Sequence, residues 1–204
     1  MTVKMEKRRL AEAQAAPLEG LATASRLAKR GRPPLHLWDP PYCGEIDIRI
    51  AADGTWYHHG TPIDRPAMVR LFASIMTCGD DGHHYLVTPV EKVGIKVEDA
   101  PFLVIGLEVR ARGLAGQTVV LTTNVGDEVA AGPEHPLNFV TDTPTAGFKP
   151  YVVVRDRLKA LVSRAATYDL VEAAEYQTVD GEEMFGVRSG GVFYVMARAG
   201  EIRP

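Results

Sequence analysis

Between Gly44 and Met76 the chain reads GEIDIRIAADGTWYHHGTPIDRPAMVRLFASIM, and few folds accommodate the elements this implies in that order. Ile46, Ile48 and Ile50 alternate with Glu45, Asp47 and Arg49, the period-2 pattern of a half-buried strand. Asp53-Gly54 follows, and both residues tolerate the positive φ that a two-residue hairpin turn demands. Trp56, Tyr57 and His58-His59 read as the returning strand, stopped by Gly60. Asp64 can cap a helix whose first turn carries Pro66, where a missing N–H costs little. Met68, Leu71, Phe72 and Ile75 then form one apolar stripe at helical spacing, and the isoleucine face is the simplest thing for it to cover. The expected unit is a hairpin closed over by a helix, with Ile46, Ile48, Ile50, Leu71, Phe72 and Ile75 at its core.

A length of 204 residues allows one large domain or two small ones. With 46% hydrophobic and 24% charged residues, the composition is that of a soluble globular protein. A net charge of -3 provides no field to hold a nucleic-acid backbone, so no nucleic-acid partner is expected. No apolar run is long enough to span a bilayer. The opening MTVKMEKRRLAEAQAA lacks the apolar region of a secretory signal, and Glu6 and Glu12 argue against a transit peptide. Cys43 and Cys78 are too few for a disulfide framework and read as reduced thiols. Together these features point to the cytoplasm, with no membrane association.

Residues 1–34 read as a leader followed by a short helix from Pro17 to Arg30, ended by Gly31-Arg32-Pro33-Pro34. HLWDPPYCG (36–44) cannot be a regular helix, and Trp38 and Tyr42 are expected to pack over the first hairpin. Strands are expected at Tyr85–Thr88 and around Val93, Ile95 and Val97. A longer one runs from Phe102 to Arg110, with Leu103, Ile105, Leu107 and Val109 on one face. Thr118–Val125 and Glu128–Ala131 form a hairpin around Gly126-Asp127; Leu137–Val140 and Tyr151–Val154 are short strands. Leu158, Leu161 and Val162 have helical spacing after Asp156, and Thr167 caps a second helix with Leu170, Val171 and Ala174 inward. Gly186-Val187 and Val192–Met196 are strand-like and joined by Ser189-Gly190-Gly191. The two halves echo one another: strand, Asp53-Gly54, strand, Gly60, helix, then strand, Gly126-Asp127, strand, Gly132, further strands, helix. The fold class expected is therefore α+β, two small strand-rich halves with weakly repeated hairpin-plus-helix motifs. An N-terminal half covers residues 35–92 and a C-terminal half residues 93–204.

Several segments carry a more specific likeness. WDPPYCGEIDIRI, DGTWY, MVRLF, LVTPVEKVGIKVEDAPF, FKPYVVVR and GVRSGGVFY, in that order across residues 35–197, resemble the DUF1285 family. The resemblance implies a bacterial protein of two α+β portions with repeated motifs and a suggested role in signal transduction. It transfers no catalytic residue, because the family has none assigned.

The residues themselves supply few catalytic candidates. His58-His59 and His83-His84 are adjacent pairs, which on a strand point to opposite faces; H-E-x-x-H and zinc-finger spacings are absent, so no metal is expected. Cys43, set behind two prolines, reads as a packing residue rather than a nucleophile. Ser189 lacks a nucleophile elbow, and no dinucleotide or P-loop signature occurs, so no cofactor is expected. The strongest binding candidates are Glu91 and Lys92 beside Pro89, with Glu98 and Asp99 at the other end of the following strand and Arg65 from the first half. The two pairs stand roughly 20 Å apart on a straight strand, and Gly94 is the natural bend. The expected function is a binding or regulatory module for a small molecule or protein partner, and self-association into a homo-oligomer is a third role. The alternative is an enzyme of unknown class acting on a small anionic ligand in a cleft between the halves.

Overall fold

The structure, a computed structural model, describes Arg26, residues 32–141 and residues 148–202. The expected leader and most of the helix from Pro17 to Arg30 lie outside these residues, although Arg26 is itself helical. The described chain divides into two compact units, one up to Ala51 with Thr55–Glu98, the other Ala52–Gly54 with the chain from Asp99 onward.

The first unit is a six-stranded sheet over one helix. Its strands are β1 (Tyr42–Ile50), β2 (Trp56–His58), β3 (Thr61–Pro62), β4 (Met76–Cys78), β5 (His84–Val87) and β6 (Lys92–Val97), in spatial order β3-β2-β1-β6-β5-β4. Neighbours are antiparallel except the central pair, β1 and β6, which is parallel. The expected hairpin forms, with Ile50 opposite Trp56 and Gly54 at φ +81° in the turn. Helix α1 (Pro66–Ser74) sits in the link between β3 and β4, which are opposite edges of the sheet. Its Phe72 stacks on Trp56 at 6.1 Å between ring centroids, so the helix closes over the hairpin. Ile48, Ile50, Phe72 and Ile75 are buried; Ile46 and Leu71 are only half-buried, and Met68 is exposed. Arg65, not Asp64, occupies the N-cap, with no side-chain bond to the helix. Before β1, a single 3-10 turn spans Leu35–Leu37.

The second unit repeats that sheet. Strands β7 (Phe102–Arg110), β8 (Thr118–Thr123), β9 (Glu128–Ala130), β10 (Leu137–Thr141), β11 (Phe148–Arg155) and β12 (Leu158–Val162) lie in the order β10-β11-β12-β7-β8-β9. Read from the other edge this is the first sheet's order with six added to each number, and again the central pair, β7 and β12, is parallel. Opposite edges of a flat six-stranded sheet are about 24 Å apart. The link from β9 to β10, residues 131–136, is folded on itself by reciprocal bonds between Gly132 and His135, so it cannot cross that distance. The sheet must curl to bring its edges together, which gives each half its half-barrel character.

A three-stranded antiparallel sheet completes this unit: β13 (Glu175–Val179), β14 (Glu182–Ser189) and β15 (Val192–Arg198), flanked by helices α2 (Arg164–Glu172) and α3 (Ala199–Ile202). Ser189, fully buried, joins the two sheets: its Oγ donates to Ala131 O (2.7 Å) and accepts from Val119 N (2.8 Å).

The fold is therefore mostly β, three sheets with short helices, and not the α+β class expected. One reason lies at residues 158–162. LKALV satisfies helical spacing and also strict alternation; Leu158, Ala160 and Val162 are buried on one face of β12. Asp156 is a turn residue at φ +46°, not a cap. The helix that follows is capped by Ser163, whose Oγ accepts from Ala166 N, and Thr167 lies within it. A second reason is that the repetition resides in strand order, not in hairpin-plus-helix motifs. The turn equivalent to Asp53-Gly54 is the β7–β8 connection, whereas Gly126-Asp127 corresponds to His59-Gly60, and no helix is repeated between β9 and β10.

Candidate functional site

Cross-strand register in the first sheet sets Glu45 of β1 beside Gly94 of β6, and Gly94 beside Tyr85 of β5. Tyr42 is level with Lys92, two residues from Gly94 on the same face. Glycine inside a strand leaves room for close approach. Here the Glu45 carboxylate fills the place a Cβ on Gly94 would take. A Cβ on Gly79 would meet Asp81 Oδ1 at 2.5 Å and the Tyr85 ring at 3.0 Å. Two glycines thus clear the ground for two carboxylates.

Each carboxylate is held by a phenol. Tyr42 OH donates to Glu45 Oε1 at 2.6 Å, and Tyr85 OH donates to Asp81 Oδ2 at 2.5 Å. His83 N donates to Asp81 Oδ1, fixing the loop that presents it. The tyrosine rings meet edge to face at 90° with centroids 6.0 Å apart. Lys92 Nζ lies 4.0 Å from the Tyr85 centroid, a cation–π contact. The bond from Tyr85, with the His83 amide, holds the Asp81 carboxyl below its ordinary value. The same bond pushes the Tyr85 phenol up to about 12, and the bond to Glu45 raises that of Tyr42. Tyr85 is buried and Tyr42 is 54% exposed, so the cluster opens outward on the Tyr42 side.

The residues singled out from the sequence take separate partners. Lys92 belongs to this cluster. Glu91 closes the turn from Thr88, whose backbone N bonds Glu91 O and whose Oγ1 accepts from Glu91 N. Glu98, beyond the far end of β6, pairs with Arg49 at 2.5 Å, and Arg49 stacks on Tyr57. Asp99 falls in the second unit, where Lys149 Nζ (3.1 Å) and Tyr151 OH (2.7 Å) bond it. Arg65 is exposed at the start of α1. Strand β6 pairs with β5 through Gly94 without a register break, so Gly94 accommodates a carboxylate rather than bending the strand there. Cys43, expected to pack, is exposed. His59 leaves the strand at φ +48°, so its ring lies 4.3 Å from that of His58 instead of on the opposite face. Among the described residues no three His, Cys, Asp or Glu side chains gather as a metal site.

Sequence reasoning missed Tyr42, Glu45, Asp81 and Tyr85 as one group. The available signal was Gly94, flanked by Lys92 and Lys96, in an otherwise regular strand.

A family model described as the N-terminal domain of DUF1285, a domain of unknown function, matches residues 33–100, and the corresponding C-terminal domain matches 101–196. The chain belongs to the DUF1285 family. A crystal structure of a DUF1285 protein from Silicibacter pomeroyi DSS-3 is 44% identical, over 91% of this chain and 99% of that one, with a TM-score of 0.79. A DUF1285 protein from Shewanella baltica OS155 is 30% identical over 63% of this chain and 92% of its own, with a TM-score of 0.51. No functionally curated protein matches. Both DUF1285 domains carry the same strand order, and two carboxylates held by two phenols gather on the N-terminal one. In the C-terminal domain the row on the corresponding face of β7, β12 and β11 aligns Leu103, Leu161 and Tyr151, whose hydroxyl bonds Asp99 beside Lys149. Among the described residues no helix is long and apolar enough to cross a membrane.

Proposed function

We propose that this DUF1285 protein is a non-catalytic binding or regulatory module of cytoplasmic signal transduction. Its ligand-contacting surface is the face of the first sheet around Tyr85. The observation that carries this reading is the pair of carboxylates, Glu45 and Asp81, seated where Gly94 and Gly79 leave room. The titration shifts support binding over proton transfer. A general acid or base works best with a pKa near the operating pH. Asp81 is shifted down and Tyr85 up to about 12, so both keep one protonation state near neutrality.

A thermal-shift screen against metabolites and nucleotides tests the reading. A ligand at 100 times its Kd adds about 2.7 kcal/mol to the stability of the native state. The gain should disappear in Glu45→Gln and Tyr85→Leu proteins that still fold. An equal gain in wild type and both variants would move binding elsewhere on the molecule.

A further inference from the structure

We infer that the cluster around Tyr85 takes a small organic cation, one bearing a primary or quaternary ammonium group, and that Lys92 is its tethered occupant in the ligand-free chain. This rests on the binding reading above. Tyr42 and Tyr85 stand at right angles and form two walls of a corner. Aromatic faces attract cations through the ring quadrupole, and an ammonium already lies on one of these faces, 4.0 Å from the Tyr85 centroid. Both phenols donate to carboxylates, so Glu45 and Asp81 bring two negative charges against the single positive charge of Lys92. A second cation is therefore favoured there and an anion is not. The corner is preformed, because Gly94 and Gly79 leave room for the carboxylates and both phenols already bond them. Lys92 reaches it on a flexible four-carbon stem, so an external ammonium can displace its head to solvent.

The experiment is a titration of the full chain with tetramethylammonium and with methylammonium, followed by the amide resonances of Gly79 and Gly94, with sodium chloride as the ionic-strength control. Saturable shifts with both ammonium salts and none with sodium are expected. Lys92→Met removes the competitor and should tighten tetramethylammonium binding roughly two- to five-fold, the worth of an exposed cation–π contact. Tyr85→Leu should abolish saturation, and Tyr42→Leu, at the exposed wall, should weaken binding without a risk to folding. Equal responses to sodium and ammonium, or a Lys92→Met protein that binds no tighter, overturn the inference. If an uncharged or anionic compound shifts Gly79 and Gly94 while the ammonium salts do not, the ligand class is wrong and the binding reading stands. If neither these salts nor any compound in the metabolite screen shifts them, both fall.

Discussion

Phe72 is 6% exposed and lies nearly parallel to Trp56, with 17° between the ring planes. Truncating it leaves a void that the indole, paired in register with Ile50 and fixed by its strand, cannot swing to fill. Phe72→Ala should cost about 3–5 kcal/mol, read as a lower midpoint in urea unfolding; a cost below about 1 kcal/mol would mean that the helix does not hold the hairpin. Gly54 has a different sensitivity. At φ +81° a β-branched residue is strained, and its Cβ would meet Asn124 Nδ2 at 2.9 Å and Leu103 Cβ at 3.1 Å. Gly54→Val should lose about 1–3 kcal/mol from backbone strain, and an unchanged melting temperature would refute the turn geometry. His84 gives a pH dependence. Burial, and then His83, push its imidazole below the ordinary 6.5. The unfolded chain therefore takes up the proton first as pH falls. Stability is complete above about 6.5, declines as pH falls toward the depressed folded value, and levels off below it. His84→Gln should flatten that limb in thermal melts; parallel curves for the two proteins would exclude His84 as its source.

Among the elements, those with one strong period were legible. The β1–β2 hairpin, its turn and α1 were evident from Ile46 to Ile75, because alternation, a turn pair and a helical stripe agree there. Elements with a break in phase were not. In β7 Leu103, Ile105, Leu107 and Val109 were expected to share one face, yet Phe102 and Val104 are buried and Ile105 is 59% exposed. A register shift after Val104 inserts an extra residue and reverses the faces, which no alternation count detects. The binding cluster was legible only at Lys92. Tyr42 and Glu45 come from β1 and Tyr85 from β5, and a parallel pairing, which leaves no local trace in sequence, brings the first two beside β6. Ser189 is a test at this scale. Its hydroxyl serves one buried donor on β8, Val119 N, and one buried acceptor just past β9, Ala131 O. Ser189→Ala orphans both and should cost about 1–3 kcal/mol. Should Ser189→Ala melt with the wild type, the seam between β14 and the β8–β9 hairpin is not maintained by that side chain.

For the molecule as a whole, strand order predicts a gradient of protection. The parallel pairs β1·β6 and β7·β12 are central in their sheets, whereas β3, β4 and β9 are edges of two or three residues. Amides of the central pairs should exchange most slowly, with free energies approaching that of global unfolding, and edge amides should exchange through local opening. Hydrogen exchange measured strand by strand decides this; edge amides as slow as the central ones would contradict it. The same pairing bears on inheritance. Because the first and last strands of each run pair with one another, a run completes its own sheet without borrowing a strand. Two tandem copies of such a run can accumulate substitutions on separate accounts. On the corresponding face one carries Leu103, Leu161 and Tyr151 across its middle and the other Glu45, Gly94 and Tyr85.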